Sequence, residues 1–182
     1  SPVEKTALAE AEVEYEDVTS TQIDVAFEIT EAPNAPELVG AYAVIWTTTP
    51  WTIPTNQGIA YGEGVRYALW KVHGRKLLIA ADLERAFFNR LGLKFEQGAD
   101  GQWQRDETLS LLAEIHPSKL AGAIARHPMH HLGGFFARPR PFLAADHVTT
   151  DAGTGLVHMA PDHGEEDFIA CKKLGIDPVF AV

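Results

Sequence analysis

The stretch "AVIWTTTPWTIPTNQGIAYG", residues 43–62, begins as an apolar run and then changes into three threonines followed by two prolines. In "GAYAVIWTT", residues 40–48, nearly every side chain before the threonines is apolar, which is typical of a strand buried on both faces. We therefore predict a central strand that ends at Pro50, because proline has no N–H to give to a strand ladder. Three adjacent hydroxyls are left at the end of this strand.

Several other segments predict short strands. In "QIDVAFEIT", residues 22–30, apolar and polar side chains alternate, as in a half-buried strand. The runs "RYALWKV" and "KLLIAA" flank "HGR" and predict a hairpin in which Gly74 supplies the positive φ of a tight turn. A further strand, "GLVHMAP", is closed by Pro161.

Two segments predict helices. "DLERAFFNRLG", residues 82–92, has apolar side chains at helical spacing and Gly92 at the position of a C-terminal cap. The segment from about Gly164 to Leu174 has acidic residues in its first turn and lysines in its last, as the helix dipole favours. Three segments stay open: residues 4–18 and "TLSLLAEI" fit strand or helix, and "EQGADGQWQRDE" fits a polar loop or a hairpin.

The balance of elements predicts a mixed α/β, β-rich fold with a curled or closed sheet and peripheral helices. At 182 residues and 46% apolar, the chain should bury one core as a single domain over residues 1–182, and we expect it to be a piece of a larger protein. The net charge of −10 disfavours binding along a nucleic-acid backbone by this chain alone. We expect a soluble, cytoplasmic protein without a membrane span, and the lone Cys171 excludes an internal disulfide.

The threonine run supplies the first group of candidate site residues. In an extended chain Thr47 and Thr49 point to one face and Thr48 to the other. Threonines are also common in strands, so the run has a purely structural interpretation. A bulky ring, a stiff turn and an amide close together favour a pocket wall over a surface turn; they are Trp51, Pro54 and Asn56.

The second candidate stretch is "DAGTGLVHMAPDHGEEDF", residues 151–168, in which a glycine-rich turn leads into a strand carrying His158. Asp167 follows nine residues later at the predicted mouth of a helix, so both side chains can face one cleft. The structural alternatives are a core histidine and carboxylates that compensate a helix dipole. Candidate metal ligands in this stretch are His158, Asp162, His163 and Asp167, but their spacing disfavours a metal site, and we expect none. His127-Pro128 and His130-His131 are expected to be surface or loop residues.

Together, "WTTTPWTIPTN" and "DHVTTDAGTGLVHMAPDHGEEDF" resemble the editing domain of isoleucyl-tRNA synthetase, the insertion called connective polypeptide 1. The resemblance implies a β-barrel core with peripheral helices, as in the editing domains of the valine, isoleucine and leucine enzymes. It also implies hydrolysis of valine misattached to tRNA(Ile), and of valyl-adenylate, without a cofactor. The implied partners are the 3′ end of the aminoacyl-tRNA and the rest of the synthetase, with a monomeric state.

The resemblance also implies roles for individual residues. Asp167 would bind the ammonium group of the amino acid, and His158 would form the wall that excludes a larger side chain. The remaining residues would hold the amino acid, the terminal ribose and the attacking water, with Trp51 stacking or packing nearby; they are Trp46, Thr47, Thr48, Thr49 and Asn56. Alternatives are a non-catalytic module that binds aminoacyl-adenosine or the tRNA 3′ end, the editing domain of the valine enzyme, and a metallohydrolase.

Overall fold

The computed structural model describes residues 22–160, which form eleven strands, one α-helix and several 3₁₀ turns. The undecided segment 4–18, the predicted helix 164–174 and Asp167 lie outside these residues. The strands are β1 Ile23–Glu31, β2 Tyr42–Thr47, β3 Gly58–Tyr61, β4 Tyr67–Val72, β5 Arg75–Ala80, β6 Phe95–Gln97, β7 Trp103–Arg105, β8 Leu109–Ile115, β9 Ile124–Arg126, β10 Pro139–Ala144 and β11 Leu156–Met159; the helix α1 is Glu84–Arg90. The 3₁₀ turns are Pro36–Leu38, Pro50–Thr55, Ala81–Leu83, Pro117–Leu120, His130–Leu132 and Gly134–Ala137.

Six strands close into a barrel in the order β1-β9-β10-β3-β11-β2, with β2 pairing back onto β1. Strand β2 is the branch point of the sheet. One of its edges pairs with β1 along its whole length. The other edge is shared: Tyr42 and Ala43 pair with β5, whereas Trp46 pairs with β11. From β5 the sheet continues through β4 to β8, outside the barrel.

Two apolar clusters lie on the two faces of β2. Ile45 belongs to the larger cluster, together with Phe27 and Ile59 of neighbouring barrel strands. Val44 belongs to the second cluster, in which the Phe88 ring of α1 packs edge-on against Trp70 at 5.1 Å. The prediction of a central strand buried on both faces is therefore confirmed.

The glycine turn before β11 fills the gap between β5 and β11 along β2. Thr154 donates its hydroxyl to the Val44 carbonyl at 2.7 Å, and its own carbonyl accepts from Ala80 N–H at 2.8 Å. The buried Tyr67 hydroxyl donates to the Gly155 carbonyl at 2.6 Å and accepts from Gly62 N–H at 2.9 Å. Burial raises the pKa of Tyr67, which therefore stays a neutral donor.

The local predictions are largely confirmed. β1, β11, the β4–β5 hairpin and α1 form where expected, and the hairpin turn has positive φ at both His73 and Gly74. "TLSLLAEI" is a strand, because it pairs with β4 over six positions with one bulge. "EQGADGQWQRDE" is a hairpin of β6 and β7. The β-rich class with a barrel core and few helices is confirmed.

Of the two alternatives expected for His127, surface or loop, the structure confirms only the loop. His127 does follow β9 in a loop, but its side chain has 0% exposure rather than lying on the surface. Its Nε2 donates to the Ile53 carbonyl at 2.8 Å, and its Nδ1 accepts from Met129 N–H at 2.9 Å. The rings of Phe27 and Phe136 pack on it at 5.6 and 5.2 Å. This neutral imidazole ties the loop after β9 to the turn Pro50–Thr55.

The close packing at Gly155 gives a test of the branch point. A Cβ at this position would lie 2.4 Å from the Ala80 Cβ, and its φ is +79°. We expect Gly155→Ala to lower the free energy of unfolding by about 2–4 kcal/mol, from overpacking and backbone strain together. Gly101→Ala is the matched control, since its φ is +81° with open space around it. Urea unfolding followed by tryptophan fluorescence measures both, and equal losses would contradict tight packing at the branch.

The buried His127 gives a pH prediction. Burial lowers the pKa of its imidazole below 6.5 in the folded chain, so the unfolded chain binds the proton more readily. Its stabilising contribution is therefore complete above about pH 6.5 and is lost as the pH falls toward the folded pKa. We expect His127→Gln to reduce the loss of unfolding free energy between pH 7.5 and 5.5. The control His131→Gln, at an exposed position, should lose as much unfolding free energy over this pH range as the wild type does. Identical pH profiles for the two variants would contradict the assignment to His127.

Candidate functional site

A cavity of about 330 Å³ lies at the end of β2, where the strand gives way to the turn Pro50–Thr55. It is bordered by four elements: the end of β2 with the threonine run, the turn Pro50–Thr55, strand β11, and the loop of residues 147–152. The two candidate stretches are therefore brought to one place, because Val157 of β11 pairs directly with Trp46 of β2. Of the predicted site residues, Trp46, Thr47, Thr48, Thr49 and His158 border the cavity.

All three threonines of the run border the cavity. Thr49 N–H donates to the Thr47 hydroxyl at 3.0 Å, and the two hydroxyl oxygens are 3.2 Å apart. Strand alternation predicts that Thr47 and Thr49 share a face, as observed. It does not predict that Thr48 borders the same cavity; the chain bends there, immediately after β2 ends at Thr47. The bend therefore brings three threonines, whose neutral hydroxyl groups can each donate or accept, to one wall of the cavity.

His158 is held from both sides. It is 6% exposed, and its Nδ1 lies 2.8 Å from the Asn56 side-chain nitrogen. That nitrogen also donates to the Gly58 carbonyl at 2.9 Å, which fixes the orientation of the amide because a carbonyl only accepts. His158 Nδ1 is therefore an acceptor, and the proton of the neutral ring is on Nε2. This nitrogen lies 2.6 Å from the Thr52 hydroxyl.

The Thr52 hydroxyl completes this network. It accepts from His158 Nε2 and donates to the Thr49 carbonyl at 2.8 Å. Both ring nitrogens of His158 are thus used within the protein, so the ring is presented to the cavity as a fixed wall.

The structure differs from the sequence-based expectation at two positions. Asn56 is fully buried and holds His158, but it does not border the cavity. Trp51 is 68% exposed and also lies off the cavity wall, because the turn that begins at Pro50 carries it outward. Direct substrate contact by either residue stays a prediction.

Trp46 forms a partly exposed wall of the cavity whose position is set by Gly153. A Cβ at residue 153 would lie 2.8 Å from the indole, so the ring packs directly on the glycine backbone. Arg90 donates to the Asp24 carboxylate at 2.8 and 3.2 Å beside this turn.

Sequence reasoning missed several residues at the cavity. Thr52 lies within the quoted stretch, and its spacing of three from Thr49 is that of one 3₁₀ turn, a signal that was present. Three others come from the loop before β11, which carries no recognisable spacing; they are His147, Thr149 and Asp151. Asp151 is exposed and brings a carboxylate to the cavity rim.

Residues 22–160 contain no group of three His, Cys, Asp or Glu side chains placed to hold a metal ion. The sequence-level ligand candidates other than His158 lie beyond residue 160, outside the described part of the chain. No helix within the described range is long and apolar enough to cross a bilayer.

Comparison with known proteins gives consistent relatives. No protein-family profile matches the chain. It is 55% identical over all 182 residues to the isoleucine–tRNA ligase of Zymomonas mobilis, and 45% identical over 97% of its length to that of Gluconobacter oxydans. The isoleucine–tRNA ligase of Bacillus cereus is 41% identical over 97% of the chain. The chain spans 17–18% of the length of these relatives.

Solved structures agree on the fold. The crystal structure of GlLeuRS-CP1 superposes with a TM-score of 0.61 at 17% identity, covering 86% of this chain and 65% of the other. The editing domain of Plasmodium falciparum cytosolic leucyl-tRNA synthetase gives 0.54 at 9% identity, over 74% and 46%. The chain therefore belongs to the isoleucine–tRNA ligase family and has the fold of a synthetase editing domain.

Proposed function

We propose that the chain is the proofreading part of an isoleucine–tRNA ligase, which hydrolyses valine misattached to tRNA(Ile) and valyl-adenylate. The observation that carries this proposal is the small cavity whose wall is a histidine with both ring nitrogens engaged. A rigid wall suits discrimination by size. The match to isoleucine–tRNA ligases, which extends along the whole of this chain, supports the isoleucine enzyme over the valine enzyme.

The need for such a cavity follows from the energetics of a missing methylene. In the site that activates isoleucine, valine binds less tightly because it lacks one methylene. The difference in binding free energy is about 1–3 kcal/mol and is well established for this pair of amino acids. A second site that is too small for isoleucine reverses the selection, because overpacking a closed wall is itself costly. His158 acts in this way only if its ring stays in place, which Asn56 and Thr52 ensure.

The chemistry available at the wall is positioning rather than strong base catalysis. The hydroxyls of Thr47 and Thr49 exchange donor and acceptor roles, so they can hold the ester oxygens and a water together. The water oxygen bonds to the ester carbonyl carbon, the bond from this carbon to the ribose oxygen breaks, one proton of the water ends on the ribose oxygen, and valine and tRNA are released. Because the aminoacyl ester is already activated, orientation of the water and stabilisation of the developing oxyanion supply the acceleration.

The amino acid's ammonium group needs a carboxylate partner. We assign this role to Asp167, by the resemblance of its motif. Asp151 borders the cavity in the described residues and is the alternative partner. The roles of the two carboxylates can be tested separately, because an Asp→Asn substitution removes the charge of one side chain and keeps its size.

We expect the chain to deacylate valyl-tRNA(Ile) about tenfold or more faster than isoleucyl-tRNA(Ile), as overpacking by one methylene predicts. Asp167→Asn should slow valyl-tRNA(Ile) hydrolysis by about 10–100-fold, the loss of a charge-assisted bond. Asp151→Asn is the matched control and should change the rate little. The measurement is release of radiolabelled amino acid from each charged tRNA.

Equal hydrolysis of the two esters would contradict the size selection. A large loss in Asp151→Asn together with a normal rate in Asp167→Asn would move the ammonium site to the cavity rim. Binding of a non-hydrolysable valyl-adenosine analogue without turnover of either ester would indicate the non-catalytic module instead.

The network around His158 gives a second test. Thr52→Val leaves His158 Nε2 without its acceptor, at a cost of about 1–3 kcal/mol, so the ring should lose its fixed position. We expect this variant, and His158→Ala more strongly, to reduce the ratio of kcat/KM for valyl over isoleucyl ester. Thr52→Ser keeps the hydroxyl and should keep the ratio. Unchanged selectivity in Thr52→Val would show that another group sets the size limit.

A further inference from the structure

The cavity wall formed by Trp46 lies on the face of β2 that α1 covers. Val44 and Trp46 are two residues apart on this strand, so their side chains point to the same face. Val44 belongs to the apolar cluster that contains Phe87 and Phe88 of α1. Trp46 follows near the end of the strand, where it borders the cavity. Helix α1 and this wall of the cavity therefore share one face of the sheet.

An ion pair joins α1 to the strand beside Trp46. Asp24 of β1 is the direct antiparallel partner of Trp46, and side chains in directly opposed positions lie on the same face. The Asp24 carboxylate accepts two hydrogen bonds from the Arg90 guanidinium, at 2.8 and 3.2 Å. The side chains of Asp24 and Arg90 are 20% and 31% exposed, so water and salt screen this pair less than a fully exposed one. The last residue of α1 is therefore fixed beside Trp46.

The same arginine contacts the turn that packs on the indole. The Nη2 atom of Arg90 that donates to Asp24 also lies 3.5 Å from the Gly153 carbonyl oxygen, a long hydrogen bond. The backbone of Gly153 packs on Trp46, because an added Cβ would lie 2.8 Å from Cε3 and 3.0 Å from Cδ2 of the indole. The φ of Gly153 is +82°, a conformation that favours glycine. Gly153 therefore connects Arg90 to the indole.

Trp46 has strand neighbours on both sides. Asp24 of β1 pairs with it on one side, and Val157 of β11, which also borders the cavity, pairs with it on the other. With these strands beside it and the turn at Gly153 packed on its ring, the indole has the cavity as its free space. Arg90 is not among the described residues that border the cavity, and neither are Asp24 and Gly153. These three residues therefore act on the cavity only through Trp46.

We propose that Arg90, Asp24 and Gly153 are positioning residues that fix the Trp46 indole and thereby set the width of the cavity. The cavity then has two walls that are held from behind: the imidazole of His158, by its own hydrogen bonds, and the indole, by the end of α1. The position of the indole rests on the contacts described above. The selection of an aminoacyl ester by the width of the cavity rests on the proposed function.

The first measurement follows the indole itself and needs no hydrolytic activity. The 182-residue chain is labelled with 5-fluorotryptophan, and the fluorine NMR signals of its four tryptophans are assigned with single Trp→Phe variants. We expect Gly153→Ala and Arg90→Gln to shift the Trp46 signal more than the other three. Two matched controls should leave the Trp46 signal in place. They are Gly101→Ala, at a φ of +81° with open space around it, and Arg66→Gln, which breaks an exposed Arg–Asp pair.

The second measurement tests the width of the cavity with alanyl, valyl and isoleucyl esters of tRNA(Ile). We expect Gly153→Ala to lower kcat/KM for the valyl ester about tenfold and to change the alanyl ester less than about twofold, because a narrower cavity excludes the larger side chain first. Arg90→Gln should reduce the preference for valyl over isoleucyl ester about threefold, because the wall loses a charge-assisted support. A loss of folded protein alone would lower kcat for all three esters by one factor and leave these ratios unchanged.

A double-mutant cycle tests whether the ion pair acts as one unit. Asp24→Asn combined with Arg90→Gln should shift the Trp46 signal no more than either single substitution does, since each one already breaks the pair. Thermal melting by circular dichroism checks that each variant is folded. The proposal would be overturned by a Trp46 signal that moves in neither Gly153→Ala nor Arg90→Gln. A wild-type ratio of alanyl to valyl hydrolysis in Gly153→Ala would also overturn it.

The outcome is separable from that of the proposed function. Hydrolysis of the valyl ester by wild type, combined with a Trp46 signal that neither variant moves, would remove the positioning role and leave the function. A Trp46 signal that moves in both variants of a chain that hydrolyses no ester would remove the function and leave the positioning of the indole.

Discussion

The structure depends on the way β2 shares one of its edges between two partners. A strand edge offers a single row of N–H and C=O groups, and here that row pairs with β5 at its beginning and with β11 at its end. The groups between must still be satisfied, since an unpaired buried backbone group is costly. Thr154 supplies the missing bond by donating to Val44, and Gly155 allows the turn to lie against Ala80. The barrel and the sheet extension both follow from this arrangement.

The candidate site is a consequence of the same branch. Because β11 reaches β2 only at its end, His158 lies close to the bend that gathers the threonines. The turn after Pro50 then brings Thr52 and Asn56 to either side of the imidazole. A histidine held in this way has a fixed ring, which is what the proposed function requires of a wall. The environment of the imidazole, and not its residue type, is the reason for assigning it this role in the proposal.

Charge is distributed unevenly along the chain. The chain is strongly acidic as a whole, yet the turn Pro50–Thr55 has no charged side chain, and the charged side chains of residues 115–145 are all basic. Two buried basic residues, His127 and Arg140, hold the segment between β9 and β10 in place. His127 is kept neutral, and Arg140 remains charged in a buried position where its bonds are to backbone carbonyls. Both join segments that the sheet alone would leave separate.

Local sequence patterns determined much of this protein. The alternation in β1, the apolar run of β2, the β4–β5 turn and the spacing in α1 predict their elements correctly, because periodicity reports which faces are buried. The two motifs also identify the family. They do so through residue types and order, which are properties of the sequence itself.

The tertiary structure decided what local pattern leaves open. "TLSLLAEI" is a strand because β4 offers it an edge, and His127 is buried because aromatic rings from distant segments cover it. Thr48 borders the cavity because of a bend, and Asn56 holds His158 across 102 positions of sequence. Periodicity predicts that a side chain is buried, but it does not identify the residues against which that side chain packs. The partner is chosen by contacts between residues about a hundred positions apart, and only the folded barrel brings them together.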